Sequence, residues 1–151
     1  MRIAVGADHG GFPLNERLIE ELRALGQEVL DFGTHDGAQP DDYPDYALLV
    51  GRAVQSGEAD LGLLICGSGV GASVAANKLR GIRAALCGDT YSAHQSREHD
   101  DCNVLCLGAR VVGVELALDI LRAFVRARFT GEERHQRRLV KISEIENEES
   151  A

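Results

Sequence analysis

Basic residues are scarce in this chain: 16 lysines and arginines stand against 24 aspartates and glutamates, a formal net charge of −8 over 151 residues. That balance argues against a general nucleic-acid binder or a protein of acidic membrane surfaces, which carry a basic excess. An anionic partner must therefore be met by a local basic pocket. No apolar run approaches the ~18 residues of a membrane span. The opening MRIAVGADHGG lacks a basic-then-apolar leader signature and runs directly into a strand pattern. Cys66, Cys87, Cys102 and Cys106 lie in apolar runs and form no CxxC pair. Structural zinc spacing is missing too, so the cysteines are expected to be reduced thiols in a cytoplasmic setting and not a metal site. Core packing is the expected role of Cys87, Cys102 and Cys106. Repeats, linkers and composition breaks are absent, which leaves one domain over residues 1–151. At 44% apolar and 26% charged residues, such a chain can bury its own core without a disulfide.

What is present is a regular alternation of short apolar runs and amphipathic stretches. Strands are predicted over residues 2–7, 28–32, 61–66, 82–87 and 104–107, and helices over 14–25, 46–54, 72–79, 90–98, 114–129 and 132–145. Leu14, Leu18, Leu22 and Leu25 share one helical face, and Gly26 stands where a left-handed C-cap would sit. The run LLIC before Gly67 is continuously apolar, as befits a strand covered on both sides. The segment 131–151 reads as a C-terminal helix followed by an acidic tail. Alternation of this kind implies an α/β fold, a five-stranded parallel sheet with helices on both faces. Ligands of such sheets bind beyond the carboxyl ends of the strands. Attention therefore falls on Asp8-His9, the polar loop 33–45 (GTHDGAQPDDYPD), Cys66 to Gly71, Gly88-Asp89 and Gly108 to Arg110.

Three constellations there carry chemistry. In LLICGSGVGASVAANK, Gly67, Gly69 and Gly71 allow a tight turn whose backbone amides can converge on an oxyanion, and a helix start adds positive potential. That potential also favours a thiolate beside it, so Cys66 is a candidate base or nucleophile facing an amide cradle. The glycine pattern mimics the dinucleotide fingerprint, but that motif follows the first strand and this one follows the third. Asp89 could supply the acid that fingerprint needs, so the dinucleotide alternative stays open. Asp8-His9, with Gly10 and Gly11 opening the backbone beside them, form the second constellation. A helix-capping Asp and a solvated His are the plainer alternative. His99 can be read as a surface residue, and His35 and His94 are left to that reading. Third, Arg134 and Arg138 lie one helical turn apart with Lys141 continuing their face, an arrangement that suits a phosphate in an otherwise acidic protein. Arg110 could join them.

Taken in order, GADHGGF, DYPDYA, ICGSGVGASVAANK, GIRAAL, YSAHQSREHDDCNVLCLGARVVG and RHQRR resemble ribose-5-phosphate isomerase type B, a family that also holds galactose- and allose-6-phosphate isomerases. The resemblance implies a three-layer α/β/α Rossmann-like domain with C-terminal helices. It further implies a homodimer or dimer of dimers with shared active sites, a small sugar-phosphate substrate, no metal or other cofactor, and no nucleic acid or membrane partner. Cys66 matches the family's general base and Ser68 its proton-moving hydroxyl. Gly67, Gly69, Val70 and Gly71 match the loop whose amides hold the enediolate, and His99 the residue that opens the furanose ring. Asp8 matches a sugar-hydroxyl ligand, and His9, Arg110, Arg134 and Arg138 the phosphate positions. Asp42 of the DYP motif is a further substrate-binding candidate. The family's cysteine-less branch carries a glutamate early in the next helix; Cys66 and Ala72 put this chain in the other branch. It departs at Asp100, where the family usually has a substrate-contacting Asn. The function implied is interconversion of ribose 5-phosphate and ribulose 5-phosphate in the pentose phosphate pathway. A six-carbon sugar-phosphate isomerase and a non-catalytic sugar-phosphate or nucleotide-binding module are the alternatives.

Overall fold

Side-chain alternation along the strands sorts the apolar residues onto two faces, and a helical layer closes over each. The computed structural model describes Met1–Ala151. Its elements are β1 (Arg2–Ala7), α1 (Phe12–Ala24), β2 (Glu28–Asp31), α2 (Tyr43–Gln55), β3 (Leu61–Cys66), α3 (Val70–Ala76), β4 (Ala84–Leu86), α4 (Thr90–Asp100), β5 (Val104–Gly108), α5 (Val114–Arg126) and α6 (Glu133–Glu149). The sheet is wholly parallel in the order β2-β1-β3-β5-β4. The central strands β1, β3 and β5 are buried almost throughout, as a strand covered by helices on both sides must be.

Ile3, Val5, Leu63, Ile65, Leu105 and Leu107 face one layer, where α1, α4 and α5 supply Leu18, Leu22, Ala93, Leu118, Leu121 and Phe124. Their neighbours Ala4, Leu64, Cys66, Val104 and Cys106 face the other, against Ala47, Val50, Ala72 and Ala76 of α2 and α3. Burying each such leucine, isoleucine or phenylalanine contributes about 1.5–3 kcal/mol. A half-buried ion pair ties the first layer together, since Glu21 Oε1 of α1 accepts from Arg122 Nε of α5 at 2.6 Å. Helix α6 lies outside both layers and packs on α4. No helix is long and apolar enough to cross a membrane.

The predicted architecture is the observed one, and the differences lie at element ends. Pro13 sits in the first turn of α1 and Pro44 in the first turn of α2, where proline's missing amide costs nothing, so both helices begin earlier than predicted. The DYP motif consequently opens α2 and does not belong to the preceding loop. Edge strand β4 is shorter than expected. Helix α4 runs on through His99 and Asp100 before Asp101 turns it with φ 45°. Phe129 falls beyond the end of α5. The expected acidic tail is instead the last turns of α6, which continues to Glu149.

Candidate active site

Because β1, β3 and β5 are adjacent, the segments that leave their carboxyl ends meet. Asp8 and His9 follow β1, Cys66 ends β3 with the glycine loop behind it, and Arg110 follows β5. Together with Gly10, Tyr43, Gly67, Ser68, Gly71 and Val111 they line a cleft of about 330 Å³. That is at the small end of the range for ligand pockets.

Cys66 is the only one of the four cysteines on this cleft, and its Sγ accepts the Gly69 amide at 3.1 Å. The other three are unsuited to ionise. Burial pushes the thiol of Cys87 up to about 11 and that of Cys102 up to about 12. Burial raises Cys106 further still. The turn after Cys66 depends on Gly69, whose φ of 80° lies in the left-handed region. The amides of Gly67, Ser68 and Gly71, all on the cleft wall, donate to no acceptor within the chain. A sulfur and a set of free donors thus face the same small volume, the pairing that proton abstraction next to a carbonyl requires. Ser68 Oγ accepts the Val70 amide at 3.2 Å and is solvent-exposed. Arg110 comes so close over the loop that a Cβ on Gly67 would stand 2.9 Å from its guanidinium. It forms no ion pair within the chain, which leaves its charge to an anion in the cleft.

Opposite the loop, Asp8 is buried and its Oδ1 accepts the Gly11 amide at 2.9 Å. Gly11 is itself the N-cap of α1, so Asp8 braces the turn before the helix rather than capping it, and it does so from the cleft wall. His9 leans on Asp41, with ring Nδ1 at 2.5 Å and backbone N–H at 2.9 Å from the same Oδ1. Tyr46 donates to the other oxygen of Asp41 at 2.7 Å. Burial pushes the Asp41 carboxyl up, but the hydrogen bonds from His9 and Tyr46 outweigh it and hold the group below its ordinary value. The ligand atoms of Asp8, His9 and Asp41 lie within 4.8 Å of one another, close enough to hold a cation together. Within the chain, Nδ1 of His9 and Oδ1 of Asp41 already satisfy each other.

Of the sequence-predicted residues, Asp8, His9, Cys66, Gly67, Ser68, Gly71 and Arg110 converge on the cleft. Gly69 serves the cleft through its amide. Val70 is exposed outside it. Asp42 is the extended N-cap of α2, solvent-exposed and off the cleft, so it is no substrate ligand within this chain's cleft; its neighbour Asp41 instead bonds His9 and Tyr46. Tyr43, on the cleft wall, has only its place in DYPDY as a sequence signal.

His99, Arg134 and Arg138 lie apart from the cleft, on α4 and α6 where the two helices meet. The His99 ring stacks on buried His135 with centroids 4.1 Å apart and planes 18° from parallel. Burial pushes His135 down from its ordinary value. Arg134 is exposed and meets Glu132, while Arg138 is exposed without a carboxylate partner. Asp100 lines a different, larger groove of about 660 Å³ between α6 and the β4 edge. There its backbone oxygen accepts from Arg83 at 3.0 Å.

A sequence profile described as Ribose/Galactose Isomerase matches residues 3–142. The chain belongs to that family. It is 50% identical over 145 residues to ribose-5-phosphate isomerase B of Escherichia coli, covering 96% of each chain. The solved structure of ribose-5-phosphate isomerase B from Clostridium thermocellum superposes with a TM-score of 0.94 at 52% identity, over 98% of this chain and 99% of that one. The same enzyme from Mycoplasma genitalium, solved with bound ribulose-5-phosphate, matches with a TM-score of 0.91 at 42% identity over 97% of both chains.

Proposed function

We propose that this chain is an aldose–ketose isomerase that interconverts ribose 5-phosphate and ribulose 5-phosphate, with Cys66 as the base. The observation that carries the reading is the Cys66 sulfur beside a loop of unused amides in a cleft that also holds Arg110. Beginning from the open-chain aldose, the thiolate takes the proton from C2. The electron pair of that C–H bond becomes the C1–C2 double bond, and negative charge moves onto O1. The free amides of Gly67, Ser68 and Gly71 stabilise that charge. The Ser68 hydroxyl relays a proton from O2 to O1, and the Cys66 thiol returns its proton to C1 as the carbonyl forms at C2. Atoms and electrons balance within the sugar, so no redox partner enters. Asp8 holds a sugar hydroxyl, while His9 and Arg110 take the phosphate.

His99, Arg134 and Arg138 act in the cleft of a second copy, in a homodimer or a dimer of such dimers. Two observations support this. None of the three lines its own chain's cleft, and α6 leaves Val140, Ile142 and Ile145 exposed for another surface to cover. His99 then opens the furanose ring, and the two arginines complete the phosphate site. A cytoplasmic setting suits the four free cysteines.

Cys66→Ala tests the assignment. Turnover of ribose 5-phosphate is expected to fall by at least ~1,000-fold while the thermal unfolding transition stays within a few degrees, since only the proton-carrying atom is removed. Retention of most turnover would remove Cys66 as the base.

A further inference from the structure

We infer that Asp41, backed by Tyr46, is a positioning residue that fixes the tautomer and orientation of His9, an inference resting on the proposed reading only for what His9 then binds. His9 lines the cleft, whereas Asp41 and Tyr46 do not. Both reach His9 from outside: Asp41 from the loop before α2, and Tyr46 from the first turns of α2.

One oxygen, Asp41 Oδ1, meets the backbone N–H and the ring Nδ1 of His9. The backbone N–H can only donate, and an ionised carboxylate oxygen can only accept, with lone pairs for both partners. The ring contact is therefore a donation from Nδ1–H, which leaves Nε2 as the nitrogen offered to the cleft. Two contacts from one residue to one oxygen also fix the ring relative to its own backbone. Tyr46 closes the arrangement by donating to Oδ2, and that bond pushes the phenol up from its ordinary value, so the donor stays protonated. With both oxygens engaged, Asp41 has no rotation left to abandon His9.

The consequence lies at the anionic end of the ligand. Only a doubly protonated imidazole donates from both nitrogens at once, to Asp41 on one side and an anion on the other. Asp41 supplies the countercharge for that form and the orientation that aims it. The polar loop 33–45 singled out in the sequence thus acts through a carboxylate that does not line the cleft. For metal-ligating histidines, loss of such an outer partner typically costs 10–100-fold, and the low end of that range is the scale expected here.

The test combines spectroscopy with a mutant cycle. In 15N-labelled wild-type protein, the His9 ring, assigned by difference against His9→Ala, is expected to show a protonated, slowly exchanging Nδ1. In Asp41→Ala that signal is expected to give way to a tautomer mixture. The KM for ribose 5-phosphate is expected to rise about tenfold in Asp41→Ala with kcat within about twofold. In a His9→Ala background the same substitution should change KM less than about twofold, because its route to substrate is gone. Tyr46→Phe, which keeps the ring packed in α2, should raise KM about two- to threefold and serves if Asp41→Ala folds poorly. An unchanged Nδ1 signal in Asp41→Ala, or an equal KM penalty with and without His9, would overturn the inference. Absence of isomerase activity in the wild type would sink the proposed substrate while leaving the spectroscopic arm to judge Asp41.

Discussion

At the scale of single residues, the cleft depends on how the backbone turns between Cys66 and α3. Gly69 makes that turn at φ 80° and simultaneously aims its amide at the Cys66 sulfur. An added Cβ there would stand 2.9 Å from the Leu107 carbonyl carbon and 3.1 Å from the Gly108 nitrogen, neither of which can swing away as a side chain could. The left-handed conformation alone costs an alanine roughly 1–2 kcal/mol, and overpacking typically adds 1–3. Gly69→Ala is therefore expected to lose about 2–5 kcal/mol, lowering the thermal midpoint by roughly 4–20 °C for a chain of this length. Differential scanning calorimetry decides it, and a midpoint within a degree of wild type would refute the strain argument. The importance of this loop was legible in the sequence because glycine spacing after an apolar run constrains the backbone directly. The choice between Asp41 and Asp42 was not. Two adjacent carboxylates are chemically equivalent, and which one turns toward His9 depends on where α2 begins.

That boundary belongs to the scale of elements, where apolar periodicity and strand alternation specify which segments form helices and strands but leave their ends loose. The six helices and five strands were readable from the pattern, as was the left-handed turn at Gly26 just after the Leu25 C-cap of α1, with φ 78°. The starts of α1 and α2 were not, because Pro13 and Pro44 read as breakers until seen in a first turn. Joining elements through charge is likewise invisible along the chain, since Glu21 and Arg122 are 101 residues apart. The Arg122 hydrogen bond is the main force holding the Glu21 carboxyl below its ordinary value of 4.5; burial opposes it, and the charges of Arg122, Arg17 and Arg126 assist. A carboxylate depressed in the folded state binds protons less readily than in the unfolded chain. Its contribution is thus complete above the ordinary value and fades as pH falls through the lower, folded one. Wild type is expected to lose urea stability below about pH 4.5 more steeply than Glu21→Gln, whose neutral amide has no proton to take up. Urea midpoints for both proteins between pH 3 and 7 provide the comparison. Parallel curves would mean that the α1–α5 pair does not respond to acid.

At the scale of the whole molecule, the residues expected to share one reaction fall into two groups on two parts of the surface. Cys66, Asp8, His9 and Arg110 sit at the carboxyl edge of the sheet, while His99, Arg134 and Arg138 ride on α4 and α6. No motif could reveal that division, because distance along the chain says nothing of which copy supplies a side chain. If two copies exchange these groups about a two-fold axis, each cleft contains Cys66 from one chain and His99 from the other. Cys66→Ala and His99→Ala proteins would then each be inactive alone. A mixed dimer would hold one cleft lacking both residues and one cleft lacking neither. Random reassociation of equal amounts makes about half the dimers mixed, each with one of two sites whole, so about a quarter of wild-type turnover should return. Refolding the two variants together, then measuring ribose 5-phosphate isomerisation against each refolded separately, gives the readout. A site built within one chain would leave the mixture as inactive as its parts, because every cleft would still lack either the sulfur or the imidazole.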